Sequence, residues 1–176
     1  MPEHPGFKLK QIEGRSIVRL RIRPDGADSA REALKLPSEL QIRVGDPAAI
    51  WQAPDQWLII SDAKPAEELV AQIQQALATQ LYAATDMSSG SACFSLQGPS
   101  ARRLLAMGCG IDMHPGVFKT GQCVRTHFAN IALQIVAVDD NGFDLYIDRS
   151  LARYLADWLA TAGEDPITLK SNSTSG

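Results

Sequence analysis

The stretch 94-FSLQGPSARRLLAMGCGIDMHP-115 decides how this chain is read. Phe94 to Gln97 ends an alternating, strand-like run that breaks at Gly98-Pro99. Pro99 suits the opening of a helix, where a missing backbone N–H costs nothing. Ala101, Leu104 and Leu105 form the apolar stripe of that helix, and Gly108 stops it. Cys109, Asp112 and His114 follow at once. Their crowding poses the question of a metal site or a thiol nucleophile, against a plain structural frame.

A zinc site would need Cys109, His114, Cys123 and His127, spaced C-x4-H-x8-C-x3-H. Structural zinc is usually held by two closely paired sets of ligands. Cys123 and His127 fall in a strand, where residues four apart span about 13 Å, too far for one ion without a bend. A reactive Cys109, paired with His114 or His127, is disfavoured for another reason. The negative end of the helix dipole raises a thiol pKa. Cys93 reads as a small sheet residue. Asp112 has no partner acid in sequence, Asp139 and Asp140 belong to a turn, and a solvated face accounts for Asp144 and Asp148. Asp86, at a strand boundary among serines, is the strongest suspect for a ligand contact, with a capped loop as its simpler role. The stretch therefore reads as frame, and no catalytic, cofactor-binding or metal residue is assigned.

Outward from it, Val18, Leu20 and Ile22 alternate with Arg19, Arg21 and Arg23, a strand with one wet face. DSAREALKL is a short helix closed by Pro37, and strands follow through LQIRVG and AAIWQAPDQWLIIS, the latter turning at Pro54-Asp55. A helix is expected from Pro65 to about Leu81, with Glu67 and Glu68 near the positive end of its dipole. Downstream, CVRTHFANIALQIVAVDDNGFDLYID reads as strands, with Asn141-Gly142 as a positive-φ hairpin turn. A last helix is capped by Ser150 and striped by Leu151, Tyr154, Leu155, Trp158 and Leu159.

The order strand, helix, strands, helix thus occurs twice, with a period near ~80 residues, too long for a solenoid. The expected fold class is α+β with duplicated strand-helix-strands-helix halves. Residues 1–14 are an N-terminal extension, 15–165 a single domain with halves at about 15–84 and 85–165, and 166–176 a flexible tail.

The bulk numbers agree with an ordinary globular protein. Of 176 residues, 45% are hydrophobic and 21% charged, and the net charge is -3. Nothing suggests nucleic acid as a partner. No apolar run of about 18 residues is present, so no membrane association is expected. Three widely spaced cysteines do not form a secreted disulfide framework, which points to the cytoplasm. A dinucleotide-binding glycine fingerprint is absent from the sequence.

Several motifs resemble those of the gamma subunit of heterotetrameric sarcosine oxidase. They are the turn from Pro54 to Leu58, Asp86 with Ser88, the run from Leu96 to Pro115, the set Gly121, Cys123 and Thr126, and the closing segment Arg149 to Leu159. The resemblance covers most of residues 48–162. It implies a fold similar to the folate-binding domain of aminomethyltransferases such as the glycine cleavage T-protein. It also implies an accessory chain in the oxidative demethylation of sarcosine to glycine. Its partners would be alpha, beta and delta subunits, and FAD, FMN, NAD and tetrahydrofolate would sit on those other subunits. A related N-methyl amino acid dehydrogenase subunit and a stand-alone folate-binding aminomethyltransferase-like protein stay open as alternatives. Trp51, Trp57 and the loop from Met113 to Phe118 are the candidates for a docking surface, with a core role for both tryptophans as the competing expectation.

Overall fold

The computed structural model describes residues 6–163. A leading strand, β1 (Lys8–Ile12), precedes β2 (Ser16–Ile22), a short 3-10 turn and α1 (Ala27–Leu34). Then come β3 (Ile42–Arg43), β4 (Ala48–Ala53), β5 (Gln56–Ser61) and α2 (Ala66–Ala76). The pattern repeats as β6 (Tyr82–Asp86), β7 (Ser91–Gln97), α3 (Ala101–Gly108), β8 (Cys123–Phe128), β9 (Ile131–Ala137), β10 (Gly142–Asp148) and α4 (Ala152–Gly163). The duplicated α+β order expected from the sequence is present.

The strands form two antiparallel sheets with matching orders, β3-β4-β5-β2-β6 and β8-β9-β10-β7-β1. The fifth strands are exchanged. β1 leads the first half yet pairs with β7 of the second, from Lys8↔Gln97 to Ile12↔Cys93. β6 leads the second half yet pairs with β2 of the first, from Val18↔Asp86 to Ile22↔Tyr82. Each half completes the other's sheet. Residues 8–12, placed by the sequence reading in an extension, are therefore part of a sheet.

Strand alternation divides the core into three layers. Val18, Leu20, Ile22, Trp57 and Ile59 face α2, where Leu69 and Ile73 are buried. Phe94, Leu96, Leu133, Ile135, Phe143 and Leu145 face Leu104 and Leu105 of α3 and Leu155 and Leu159 of α4. The opposite faces meet between the sheets through Ile17, Ile50, Leu58 and Ile60 on one side and Cys93, Cys123, Val136 and Tyr146 on the other. The order is helices, sheet, sheet, helices. Leu155 and Leu159 are 0% exposed, and burying such a side chain is worth about 1.5–3 kcal/mol. One edge is stitched across the sheets: Cys123 N donates to Leu40 O at 2.9 Å and Ile42 N to Gly121 O at 3.1 Å.

Gly98 and Gly108 frame α3 for reasons of space. Gly98 has φ +124°, and a Cβ there would lie 2.7 Å from Gly6 O. A Cβ on Gly108 would overlap the Phe128 ring.

Several local expectations are corrected. α2 stops at Ala76, because the chain beyond Leu77 is drawn out to pair with β2: Arg23 N donates to Leu81 O and β6 begins at Tyr82. Ser150 does not cap the last helix; it lies inside a 3-10 turn, Arg149–Leu151, whose N-cap is Asp148. Tyr154 is 45% exposed and leaves the apolar stripe, its hydroxyl donating to Ala129 O at 2.9 Å. Neither Asn141 nor Gly142 has positive φ. The tight positive-φ turn is Ala129-Asn130 (φ 45° and 69°), which joins Phe128 to Ile131 between β8 and β9. Residues 166–176 lie outside the described residues.

Candidate functional site

Two polar sites flank the apolar layer between the sheets, with Tyr146 bordering both. The first centres on Arg15, in the turn between the exchanged strand β1 and β2. Its Nε and Nη2 donate to Asp62 Oδ1 at 2.8 Å and Oδ2 at 3.0 Å, a fork against both carboxylate oxygens. Its Nη1 reaches the other sheet, donating to Asp144 Oδ2 and to Tyr146 OH, both at 2.8 Å, and lying 3.6 Å from Cys93 Sγ. One guanidinium thus ties the end of β5 to β7 and β10.

Burial works against the charge on Arg15. Its bonds to Asp62 and Asp144 and the nearby Tyr146 outweigh that, and its pKa rises above the usual arginine value. The Arg15 hydrogen bond holds Asp62 below the usual carboxylate range, against a smaller opposing effect of desolvation. Desolvation lifts Tyr146 well above the ordinary phenol value. Desolvation, then the charge of Asp144, pushes the Cys93 thiol up to about 12.

Asp144 is the main correction to the site reading. Its side chain is 16% exposed and ion-paired, where a solvated face was expected. The sequence signal was the two-residue spacing of Asp144 and Tyr146, which puts both on one sheet face. Beside Arg15 opens a cleft of about 230 Å³, walled by Ile42, Ile50, Ile60 and Val136 and rimmed by Arg43 and Asp46.

The stretch from Phe94 to Pro115 is held together by Arg102. Its Nε donates to Asp140 O at 2.6 Å, and its Nη1 donates to Met113 O at 2.9 Å and Phe118 O at 2.8 Å. The guanidinium stacks over Phe143 at 5.1 Å. One cation closes the loop 109–122 onto the β9–β10 turn. Within that loop Asp112 Oδ1 accepts from His114 N at 2.8 Å, and His114 Nδ1 accepts from Gly116 N at 3.1 Å. These are local turns, and the Cys109 thiol bonds to a main-chain carbonyl of its own helix instead of to either group. Cys109 Sγ donates to Leu105 O at 3.1 Å, and burial raises its pKa.

Asp86 caps a turn: its Oδ1 accepts from Ser88 N at 2.8 Å and from Ser88 Oγ at 2.6 Å. Ser88 Oγ in turn accepts from Ile17 N at 2.9 Å, fastening the β6–β7 turn to β2. Cys123 is 0% exposed, with burial pushing its thiol up to about 12. Among the described residues, no three His, Cys, Asp or Glu gather as metal ligands. Asp139 Oδ1 accepts from Asn141 N at 2.8 Å, Thr120 Oγ1 donates to Asp140 Oδ1 at 3.3 Å, and Asp148 is exposed.

The proposed docking residues need correction too. Trp57 is 1% exposed, with its Nε1 donating to Pro37 O at 3.0 Å. Met113 and Phe118 are 4% and 6% exposed, and both belong to the helix-side core. These three cannot form a surface, because alternation and the Arg102 clamp turn them inward. Val117 between them is 57% exposed, and Trp51 is half-buried.

Comparison with known proteins adds a second line of evidence. The model of the sarcosine oxidase, gamma subunit family matches residues 24–165. Sarcosine oxidase subunit gamma of Corynebacterium sp. (strain U-96) is 26% identical over 137 residues, 76% of this chain and 66% of that protein. The same subunit of Corynebacterium sp. (strain P-1) is 27% identical over 130 residues, 72% and 63%. The chain thus spans slightly under two thirds of these two relatives. Subunit gamma of Arthrobacter sp is 26% identical over 161 residues, 88% and 78%. Among solved structures, a chain of the heterotetrameric sarcosine oxidase from Corynebacterium sp. U-96, in complex with pyrrole 2-carboxylate, superposes with TM-score 0.81 at 22% identity. That match covers 93% of this chain and 87% of the other. Aminomethyltransferase T of the glycine cleavage system from Bartonella henselae matches at TM-score 0.64 and 15% identity, over 89% of this chain and 46% of that one. The second likeness is one of fold.

Proposed function

The chain belongs to the sarcosine oxidase gamma subunit family, and on that premise we propose that it is the accessory gamma chain of a sarcosine-oxidising heterotetramer. The observation that carries this is the family match, which spans both halves of the fold. In this reading the chain docks against alpha, beta and delta subunits in the cytoplasm. The flavins, NAD and tetrahydrofolate are bound by those subunits, and demethylation of sarcosine to glycine takes place there. The chain itself contributes shape and stability.

The chemistry of the interior supports an accessory role. Arg15, Asp62, Asp144 and Tyr146 satisfy one another, so they hold the sheets together and leave no free acid or base among them. Burial keeps the Cys93 and Cys123 thiols protonated at neutral pH, which removes their nucleophilicity.

The test compares the chain alone with the assembled complex. The purified chain is expected to show no flavin absorption band and no sarcosine-dependent peroxide formation, while the four-subunit preparation shows both. A yellow, active isolated chain would overturn the accessory role. An assembled complex that turns over other N-methyl amines and leaves sarcosine untouched would overturn the substrate.

A further inference from the structure

The exchanged strand β6 ends its sheet, and its outer edge is open. Arg23 N donates to Leu81 O at 3.2 Å and Met87 N to Ile17 O at 2.8 Å, with Arg21↔Ala83 and Arg19↔Thr85 in register between them. Bonded pairs alternate along an antiparallel ladder, so Ala83 and Thr85 bond to β2. The N–H and C=O groups of Tyr82, Ala84 and Asp86 therefore point away from the sheet. Among the described residues, none of these main-chain groups has a hydrogen-bond partner.

The equivalent edge of the other sheet is guarded. β1 carries Lys8 and Lys10, the kind of charge that deters a further strand. The edge strands β3 and β8 are stitched to each other at one end. β6 reads YAATD, with no lysine, no proline and no bulge in its pairing. Leu81, just before it, is 67% exposed. An unguarded edge of this kind is a template for another strand.

The two faces of β6 specify what that strand carries. Tyr82 and Ala84 lie on the helix side and pack against the α2 core. Ala83 and Thr85 lie on the other face, beside Arg21 and Arg19 of β2, and both are exposed. Arg21 and Arg23 pair with Asp55 and Asp25, but their side chains are 66% and 62% exposed, and such pairs hold weakly. Arg19 has no ion-pair partner among the described residues and is half-buried at the smaller polar site, with Gln52, Gln134 and Arg125. Ala83 and Thr85 are too short to screen this row of arginines. A strand laid beside β6 would lie roughly 10 Å from β2, a span that an arginine and a glutamate close together.

We propose that the β6 edge takes up an extended segment of a partner subunit, with acidic residues on the arginine face and apolar residues on the face toward Tyr82 and α2. A second copy of β6 fits less well, since it would set only Ala83 and Thr85 on the arginine face. The proposal rests on the reading of the chain as an accessory subunit and names the surface through which it docks.

The experiment compares amide hydrogen exchange in the free chain and in the complex formed by co-expression with the flavin-binding and folate-domain subunits of a sarcosine oxidase. Exchange at Tyr82, Ala84 and Asp86 is expected to be fast in the free chain and at least tenfold slower in the complex. Ala84→Pro, which removes an outward N–H, and Arg21→Glu, which reverses a charge on the exposed face, should each weaken assembly tenfold or more. Arg21 is exposed, so its variant tests the surface even where Ala84→Pro fails to fold. A complex whose β6 amides exchange as fast as in the free chain would overturn the docking surface and leave the accessory role standing. Failure of the chain to enter any complex would overturn both. Slow exchange in the free chain at the mass of a dimer would give the edge to a second copy and overturn the proposal, as would unchanged assembly with Arg21→Glu.

Discussion

Arg15 and Asp144 stand 129 residues apart, and Arg15 Nη1 donates to Asp144 Oδ2 at 2.8 Å across the interface of the two sheets. The arginine sits in the turn that delivers the exchanged strand β1, and the aspartate lies on β10, which pairs with β7. The ion pair therefore locks the place where the two halves trade strands. Both side chains are mostly buried, at 15% and 16% exposure.

Removing one partner of such a pair strands the other charge. Arg15→Met is expected to destabilise the fold by about 3 kcal/mol, measured by urea denaturation. Adding Asp144→Leu should recover part of that loss, since an apolar pair leaves no unpaired charge. A single variant as stable as the parent would show that the pair does not clamp the sheets.

Acid should loosen the same junction. Asp62 has a folded pKa below its ordinary value of 3.8, so its ionised form stabilises the native state. That contribution is fully present above the unfolded pKa and is lost as pH falls through the lower folded pKa. Stability measured between pH 5 and pH 2 should decline, and Asp62→Asn should flatten part of the decline. An Asp62→Asn profile parallel to the parent's would contradict the assignment.

Thiol reactivity should follow burial. At pH 8 the native chain is expected to resist alkylation at Cys93 and Cys123, whose thiols are pushed up to about 12. Half-buried Cys109 should react slowly, since burial raises its pKa as well. Peptide mass spectrometry after iodoacetamide treatment reads this directly, with all three sites labelled in denaturant. Rapid labelling of Cys93 in the native chain would mean that the inter-sheet layer opens.

The loop 109–122 should depend on one side chain. Arg102→Met removes three bonds to main-chain carbonyls, a loss of about 2 kcal/mol in stability. Limited proteolysis should then cut first within this loop. Cleavage elsewhere first would show that the loop is held by other contacts.

These relationships also mark what could be read from the sequence. Alternation in Val18 to Ile22 and Phe94 to Leu96 identified the helix-facing sides of the strands, because burial on one face imposes a period of two. The duplication was visible for the same reason. The exchange of β1 and β6 was not, since KLKQI and YAATD pair with strands of the opposite half and nothing local specifies a distant partner. Arg15 and Arg102 were missed because an arginine in a turn or helix looks solvated until the fold brings acceptors to it. Asn141-Gly142 drew attention as a turn signal, while Ala129-Asn130 adopts the positive φ values because two strands in fixed register leave only two residues to join them.

The most direct test of the central claim is recovery of the complex. The chain, tagged and co-expressed with the flavin-binding and folate-domain subunits of a sarcosine oxidase, would be purified through its tag and its native mass measured. The account predicts a single heterotetramer containing one copy of this chain, with sarcosine-oxidising activity that falls when the chain is omitted. Recovery of the chain alone, with full activity in the subunits that lack it, would contradict the account.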